Sequence, residues 1–327
     1  MATQLRFSAN INTFNACADR YVLTGYGQRY STDELIRRAT QVEELTGVEV
    51  VGLWHVNDDN VEDIRRQVKE AGLVVTCVTP DIWAQGKWGM GSFASNDPEI
   101  RAAAIAEVKK SMTWARRLNC EVIDLWFGQD GYDYPFQADF ISAWERIIAG
   151  TKECADYLPE IKIVIEYKPK EPRTHCFVGT VGSTLLLLNE VDRPNVGAMI
   201  DVGHALMAYE NAAESAALLQ RFGQKLFYMH FNDNWRLWDD DLTVGSIHVV
   251  ELLELMYWLD RIDYRGWYAL DIIPYREDGV RAATESIKWI QAAHSLLDRM
   301  GRDKIAAVIA RSDALAASAM IREAMMG

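Results

Sequence analysis

Three acidic residues stand at the end of, or inside, strongly apolar runs. Glu166 closes Ile-Lys-Ile-Val-Ile, Asp201 closes Val-Gly-Ala-Met-Ile, and Asp271 lies within Tyr-Ala-Leu-Asp-Ile-Ile. His230 falls at the end of a fourth run, Leu-Phe-Tyr-Met-His-Phe. An ionised carboxylate among apolar side chains is costly unless it is paired or bound to a cation. A single such residue reads more readily as a buried ion pair. Three carboxylates and an imidazole on four successive runs read as one oxygen-rich metal site with open positions.

A second set adjoins the first. In Asp201-Val-Gly-His204 the imidazole follows the carboxylate by three residues, so a loop starting at Asp201 can turn both toward one ion. In Trp238-Asp239-Asp240-Asp241-Leu242 an extended chain points Asp239 and Asp241 the same way and Asp240 the other. Three consecutive Asp would by themselves read as a solvated acidic loop. Together, Asp201, His204, Asp239 and Asp241 form a second site in which Asp201 bridges. Two ions sharing a carboxylate can clamp two neighbouring oxygens of one substrate.

Lys168 lies two residues beyond Glu166, on the same face of an extended chain. It can donate to an oxygen gaining charge, or it can pair with one of the ligand carboxylates. In His55-Val-Asn-Asp58 the carboxylate can hold one ring nitrogen and leave the other as a base. Trp54, Trp83, Trp88 and Trp126 fall at or just after apolar runs. Aromatic faces suit the apolar side of a sugar and exclude water, although some of the four serve only as core. His175 has no assigned part, and His248 and His294 read as structural or solvated.

The elements that must carry these residues alternate. Runs 5–11, 48–54, 73–79, 120–126, 161–166, 196–201, 226–231 and 268–273 read as buried parallel strands. Between them, helical periodicity covers roughly 34–45, 60–71, 97–118, 138–157, 181–191, 212–223, 249–262 and 278–299. Asn60 can cap the 60–71 helix and Gly72 can end it, while Asp97 and Pro98 suit the start of the next. Eight strands alternating with eight helices predict a (β/α)8 TIM barrel over residues 1–300. The doubly wound alternative lacks its Gly-rich phosphate loop. In a barrel, chemistry gathers at the C-terminal strand ends, where these polar residues fall. Residues 301–327 form a C-terminal helical extension, read as one helix over 302–326. Its small apolar face suits packing on a neighbouring subunit, with packing on its own barrel as the alternative.

Composition limits the rest. The 327 residues are 49 % hydrophobic and 25 % charged, ordinary for a globular protein. Lys plus Arg number 34 against 47 Asp plus Glu, a net charge of −13, which repels nucleic acid and anionic membranes. No apolar stretch reaches 18 residues, and Met-Ala-Thr-Gln-Leu-Arg-Phe has no signal-peptide pattern. Five scattered cysteines without CxxC form neither a disulfide framework nor a zinc ribbon. A cytoplasmic protein is expected.

Over roughly residues 48–300 the sequence resembles the xylose isomerases, within the xylose isomerase-like barrel superfamily. Glu166-Tyr-Lys168-Pro169-Lys-Glu171-Pro172-Arg173 matches that family's Glu-Pro-Lys-Pro-Asn-Glu-Pro-Arg at six of eight places. Leu125-Trp126-Phe-Gly128-Gln-Asp-Gly131 is similar to its strand-four motif, Gly91–Asp97 to its loop after strand three, and Asp239-Asp-Asp241-Leu242 to its Asp-x-Asp-Leu loop. The resemblance implies two divalent ions, a ring-opening base and a hydride shift. It implies Glu166, Asp201, His230 and Asp271 on the first ion, and Asp201, His204, Asp239 and Asp241 on the second. Lys168 would contact the carbonyl oxygen, His55 oriented by Asp58 would open the sugar ring, and Trp126 would line the sugar site. Departures from the family are Asp201 for Glu, His230 for Asp, Tyr167 for Pro, and Ile273 for a second Lys. The Glu/Asp/His/Asp ligand set is closer to that of L-rhamnose isomerases.

The resulting expectation is a metal-dependent aldose–ketose isomerase with two divalent cations per chain. Mn²⁺ or Co²⁺ is favoured by the imidazoles, and Mg²⁺ can serve. A homo-oligomer, dimer or tetramer, is expected. The rival readings are a one-metal ketose 3-epimerase or inositol-type isomerase, an endonuclease-type phosphodiesterase, a C-glycoside-cleaving subunit, and a non-catalytic sugar-binding barrel.

Overall fold

A computed structural model of the chain describes residues 5–171 and 173–326. Residues 1–4, Gly327 and Pro172 of the Glu166–Arg173 motif lie outside the described residues. Eight parallel strands close into a barrel: β1 (Phe7–Asn10), β2 (Leu45–Val51), β3 (Val74–Thr79), β4 (Val122–Trp126), β5 (Lys162–Glu166), β6 (Val196–Asp201), β7 (Leu226–Phe231) and β8 (Tyr268–Leu270). Each strand pairs with the next, and β8 returns to β1, so no edge is left open. The expected TIM barrel is the observed fold. Its strands are apolar nearly throughout because helices cover them outside and side chains fill them inside.

Among the helices are α1 (Thr32–Ala39), α2 (Val61–Glu70), α3 (Pro98–Arg117), α4 (Phe140–Tyr157), α5 (Val181–Val191), α6 (Val202–Met207), α7 (Ala212–Arg221), α8 (Val249–Arg261) and α9 (Gly279–Met300). Asp97 caps α3 through the Glu99 amide, with Pro98 in the first turn, as the sequence pattern predicts. Asn60 precedes α2 but does not cap it. Its side chain instead accepts from the Asn57 amide and donates to the His55 carbonyl. Among the described residues no helix is long and apolar enough to cross a membrane.

Three differences from the sequence reading matter. First, β2 ends at Val51 rather than 54, because residues 52–56 turn tightly: Leu53 adopts φ 65° and the His55 amide bonds to the Val51 carbonyl. Second, a small antiparallel sheet of Gly131–Tyr132, Thr174–Cys176 and Lys170–Glu171 stands over the β4 and β5 ends. Gly131 is required there, since a Cβ would lie 2.2 Å from the His175 carbonyl oxygen. Third, the tail is two helices, α10 (Arg302–Ala310) and α11 (Ala314–Met326), not one. Ser312 at φ 52° breaks the run, and the Asp313 side chain receives the Ala316 amide to start α11. Ile305, Met320, Ile321 and Ala324 of the tail pack against their own barrel, beside α8 and α9, while Leu315 and Met326 remain exposed.

Candidate metal centre

The barrel register brings the strand ends to one level. His230 is the direct neighbour of Asp201 across β7 and β6, and Trp126 is that of Glu166 across β4 and β5. Glu166, Asp201, His230 and Asp271 each offer a ligand atom, all within 4.8 Å of one another. The His230 Nδ1 lies 3.2 Å from Glu166 Oε1, 3.6 Å from Asp271 Oδ2 and 3.9 Å from Asp201 Oδ2. Asp201, His204 and Asp239 form a second such cluster, so Asp201 belongs to both. In that cluster His204 Nε2 is 3.2 Å from Asp239 Oδ2, and Nδ1 is 3.1 Å from the Tyr167 carbonyl.

Asp201 is held firmly at this corner. It caps α6, accepting the His204 amide at 2.9 Å, and its other oxygen accepts from Asn232 Nδ2 at 2.9 Å. The Gly203 amide donates to Asn232 Oδ1 at 2.7 Å, and a Cβ on Gly203 would lie 2.7 Å from that same oxygen. The short Asp-Val-Gly-His turn therefore needs its glycine.

Asp241 stands beside the second cluster rather than within it. Its Oδ1 accepts from Asn232 Nδ2 at 3.2 Å, and its backbone is left-handed at φ 47°. The loop is not an extended strand, so strict alternation does not govern it. Asp240 does point away, accepting from the Trp235 amide.

Lys168 is buried. Its Nζ pairs with Asp239 Oδ2 at 2.6 Å and with Glu171, and lies 5.1 Å from the Trp126 ring. Burial works against its charge, but Asp239 and Glu171 outweigh that and hold its pKa well above the usual lysine range. The ion-pair reading of Lys168 is thus realised, with Asp239 as partner. Trp54, Trp83 and Trp126 form a row, with ring centroids 5.9 and 5.0 Å apart. Trp88 is fully buried core.

The His55–Asp58 pair does not form. The Asp58 carboxylate is exposed, accepting from Trp114 Nε1 at 2.7 Å and pairing with Lys110 at 2.9 Å. His55 is buried. Its Nδ1 accepts the Val51 amide at 2.9 Å, leaving Nε2–H to donate to Asn12 Oδ1 at 3.1 Å. His55 belongs to the turn at 52–56 and Asp58 to the next turn, in which Asn57 accepts the Asp59 and Asn60 amides, so a spacing of three does not put them on one side. Both ring nitrogens of His55 are engaged, and neither is a free base. His175 stacks on Tyr132 in the small sheet, and His248 pairs with Asp233 at the start of α8.

Burial pushes the His55 pKa down to about 4. The unfolded chain takes up the proton near pH 6.5 and the folded chain only near 4, so stability is full above about pH 6.5 and is lost as pH falls through that window. Between pH 7.5 and 4.5 the His55→Gln variant is expected to lose less stability than the wild type, by on the order of 2 kcal/mol in urea titrations. Equal losses in both proteins would contradict the assignment.

Two carboxylates beneath the strand ends have no counterpart in the sequence reading. Glu49 on β2 is 2.9 Å from His230 Nε2. Asp124 on β4 accepts from Thr79 and lies against Glu166. Both are charged residues inside buried strands, the same signal that singled out Asp271.

The arrangement is strongly anionic. Glu49, Asp124, Glu166, Asp201, Asp239, Asp241 and Asp271 crowd around one lysine and two imidazoles. Burial, with Glu166 and Asp201 alongside, pushes Asp271 up to about 7 despite His230. Burial also raises Asp201, and burial with Asp239 and Asp271 raises Asp241 well above the carboxylate range. Burial opposes ionisation of Glu166 too, but His230 and His204 hold it at about 2. Asp239 Oδ1 is buried without a hydrogen-bond partner. Hard oxygens, an imidazole in each cluster and uncompensated negative charge fit divalent cations.

The sequence profile of the xylose isomerase-like TIM barrel matches residues 38–293. The chain is 28 % identical to the xylose isomerase of Thermus thermophilus over 269 residues, which is 80 % of this chain and 66 % of that protein. It is 27 % identical to the xylose isomerase of Thermus caldophilus over 266 residues, 79 % of this chain and 65 % of that one. The chain thus spans just under two thirds of the length of these relatives. Among solved structures it is similar to a D-tagatose 3-epimerase-like protein, with TM-score 0.68 and 19 % identity over 89 % of this chain and 99 % of that one. A D-allulose 3-epimerase from Methylomonas sp. in complex with D-allulose has TM-score 0.69 and 18 % identity over 89 % and 98 % of the two chains. At such identities the likeness to solved structures concerns the fold.

Proposed function

Because the chain belongs to the xylose isomerase-like TIM-barrel family, we propose that it is a metal-dependent aldose–ketose isomerase acting on a small sugar. The observation that carries this reading is the double membership of Asp201 in two ligand clusters. Glu166, Asp201, His230 and Asp271 would hold one divalent ion, and Asp201, His204 and Asp239, with Asp241 beside them, a second. Such ions, Mn²⁺ or Co²⁺ before Mg²⁺, supply Lewis acidity toward two neighbouring sugar oxygens.

The chain's own groups do the rest. Lys168 stays protonated between Asp239 and Glu171 and serves as a donor to substrate oxygen. Trp126, with Trp83 and Trp54, covers the apolar side of the sugar and excludes water. His55 contributes at most an N–H donor, since its other nitrogen is taken by the Val51 amide. Proton transfer needs a free base within hydrogen-bond reach of the carbon. Glu166, Asp201, Asp239 and Asp271 belong to the two clusters, Asp241 beside them accepts from Asn232, and Glu49 and Asp124 lie buried beneath the strand ends. Hydrogen therefore passes directly between C2 and C1 of the sugar.

An aldose deuterated at C2 tests this. In ordinary water the label is expected to reappear at C1 of the ketose. Wash-out into solvent would favour the second reading, a ketose 3-epimerase working by proton transfer with one ion. A specific contact supports that alternative: Lys168 already neutralises Asp239 at 2.6 Å, so the second cluster is partly balanced without an ion. Exchange of hydrogen at C3 of a ketose, with fewer than two ions bound per chain, would establish it.

A further inference from the structure

Glu49 is 1 % exposed and sits in the middle of β2, below the level of the strand-end ligands. Its two oxygens face two different donors. Oε2 lies 2.9 Å from His230 Nε2, and Oε1 accepts the Tyr228 hydroxyl at 2.7 Å. That hydroxyl is 2.8 Å from Thr76 Oγ1, which is 2.6 Å from Ser8 Oγ. Each hydroxyl has one proton to give. With Tyr228 donating to Glu49, Thr76 can donate to Tyr228 or to the Val48 carbonyl at 3.3 Å, and Ser8 to Thr76. The chain of donors ends on the carboxylate, so the rotation of Glu49 is set from below and its second oxygen is aimed at His230.

An imidazole whose Nε2–H is engaged in this way can present only Nδ1 to a cation. Nδ1 is the nitrogen that faces Glu166, Asp271 and Asp201. A ligating histidine whose outer N–H is held by a carboxylate is fixed in tautomer and ring orientation and is a better donor to the metal. We infer that Glu49 is the positioning residue of the first metal site, acting through His230 and touching neither cation nor sugar. The inference rests on the proposal that this cluster binds a divalent ion.

The test measures Mn²⁺ binding to metal-stripped protein by calorimetry and by electron paramagnetic resonance of free Mn²⁺. Glu49→Gln keeps size and can still accept from one of the two donors, but loses the charge. Glu49→Ala loses both. Affinity at the first site is expected to fall about 10- to 100-fold in Glu49→Ala and less in Glu49→Gln, on the scale typical of outer partners of metal-ligating histidines. Tyr228→Phe keeps the carboxylate on His230 and should lose less than either. A second readout does not depend on metal. In ¹⁵N-histidine-labelled metal-free protein, the slowly exchanging Nε2–H signal that disappears in His230→Gln should also disappear in Glu49→Ala. If Glu49→Ala fails to fold, Glu49→Met, which keeps the length of the side chain and offers no oxygen to either donor, carries both measurements. Wild-type Mn²⁺ affinity, or an unchanged His230 signal, in the variant that removes both Glu49 oxygens overturns the inference. Failure of the wild type to bind Mn²⁺ overturns instead the proposed metal-dependent function.

Discussion

Replacing Asp201 by Asn is expected to abolish turnover, with a loss on the order of 10³-fold or more, because it removes a charged oxygen from both ligand clusters at once. The amide matches the carboxylate in size, so the loss is chemical rather than steric. Both carboxylate oxygens already accept hydrogen bonds, one from the His204 amide and one from Asn232. The NH₂ of an asparagine must therefore meet one of these donors head-on. Metal-free stability should change far less. Burial pushes the Asp201 carboxyl up, and Asp239 and Glu166 add to that. Removing a crowded buried charge relieves the metal-free fold. The expected signature is a metal-free melting temperature close to that of the wild type, the relieved charge offsetting the donor clash, together with loss of the rise that Mn²⁺ gives the wild type. A variant that keeps both Mn²⁺ ions and full turnover would contradict the bridging role.

Lys168→Met should separate the two readings of this lysine. Lys168 is buried, and its partner Asp239 is 13 % exposed at the side chain while Glu171 is 31 % exposed. Breaking a buried pair by removing one partner costs about 3–5 kcal/mol, because the remaining charge loses its compensation. Water can reach Glu171, so a value near the lower end is expected. Saturating Mn²⁺ should restore much of this stability, since a cation against Asp239 replaces the lost ammonium. Turnover should stay about 10²- to 10³-fold low if Lys168 donates to substrate oxygen in the reaction. Recovery of both stability and turnover with Mn²⁺ would reduce Lys168 to a counter-ion. Urea titrations and kcat at several Mn²⁺ concentrations distinguish the outcomes.

The Glu166, Asp201, His230 and Asp271 cluster was legible in the chain because two independent constraints coincide. Apolar runs must become buried strands, and a barrel sets the ends of its strands in one ring. A charged residue at the end of such a run then has few places to go. The same logic applies to Glu49 within Val48-Glu-Val50 and Asp124 within Ile123-Asp-Leu125. A buried carboxylate in mid-strand needs a partner as much as one at the rim.

Residue order and side-chain chemistry by themselves determined the alternation of strands and helices, hence the barrel, and the cluster of four candidate ligands at its rim. These follow from local hydrophobic pattern and from the cost of burying charge. Only the tertiary structure decided the pairings. Lys168 and Asp239 are 71 residues apart and meet because their loops leave the same end of the barrel. Glu49 and His230 are 181 residues apart and meet across its interior. His55 and Asp58, three residues apart, face different neighbours because they lie in successive turns: His55 in the 52–56 turn, where its Nδ1 accepts the Val51 amide, and Asp58 in the next, where Asn57 accepts the Asp59 and Asn60 amides. Sequence spacing predicts contact where the backbone is regular. Where the chain turns, the hydrogen bonds that satisfy its backbone determine where side chains point.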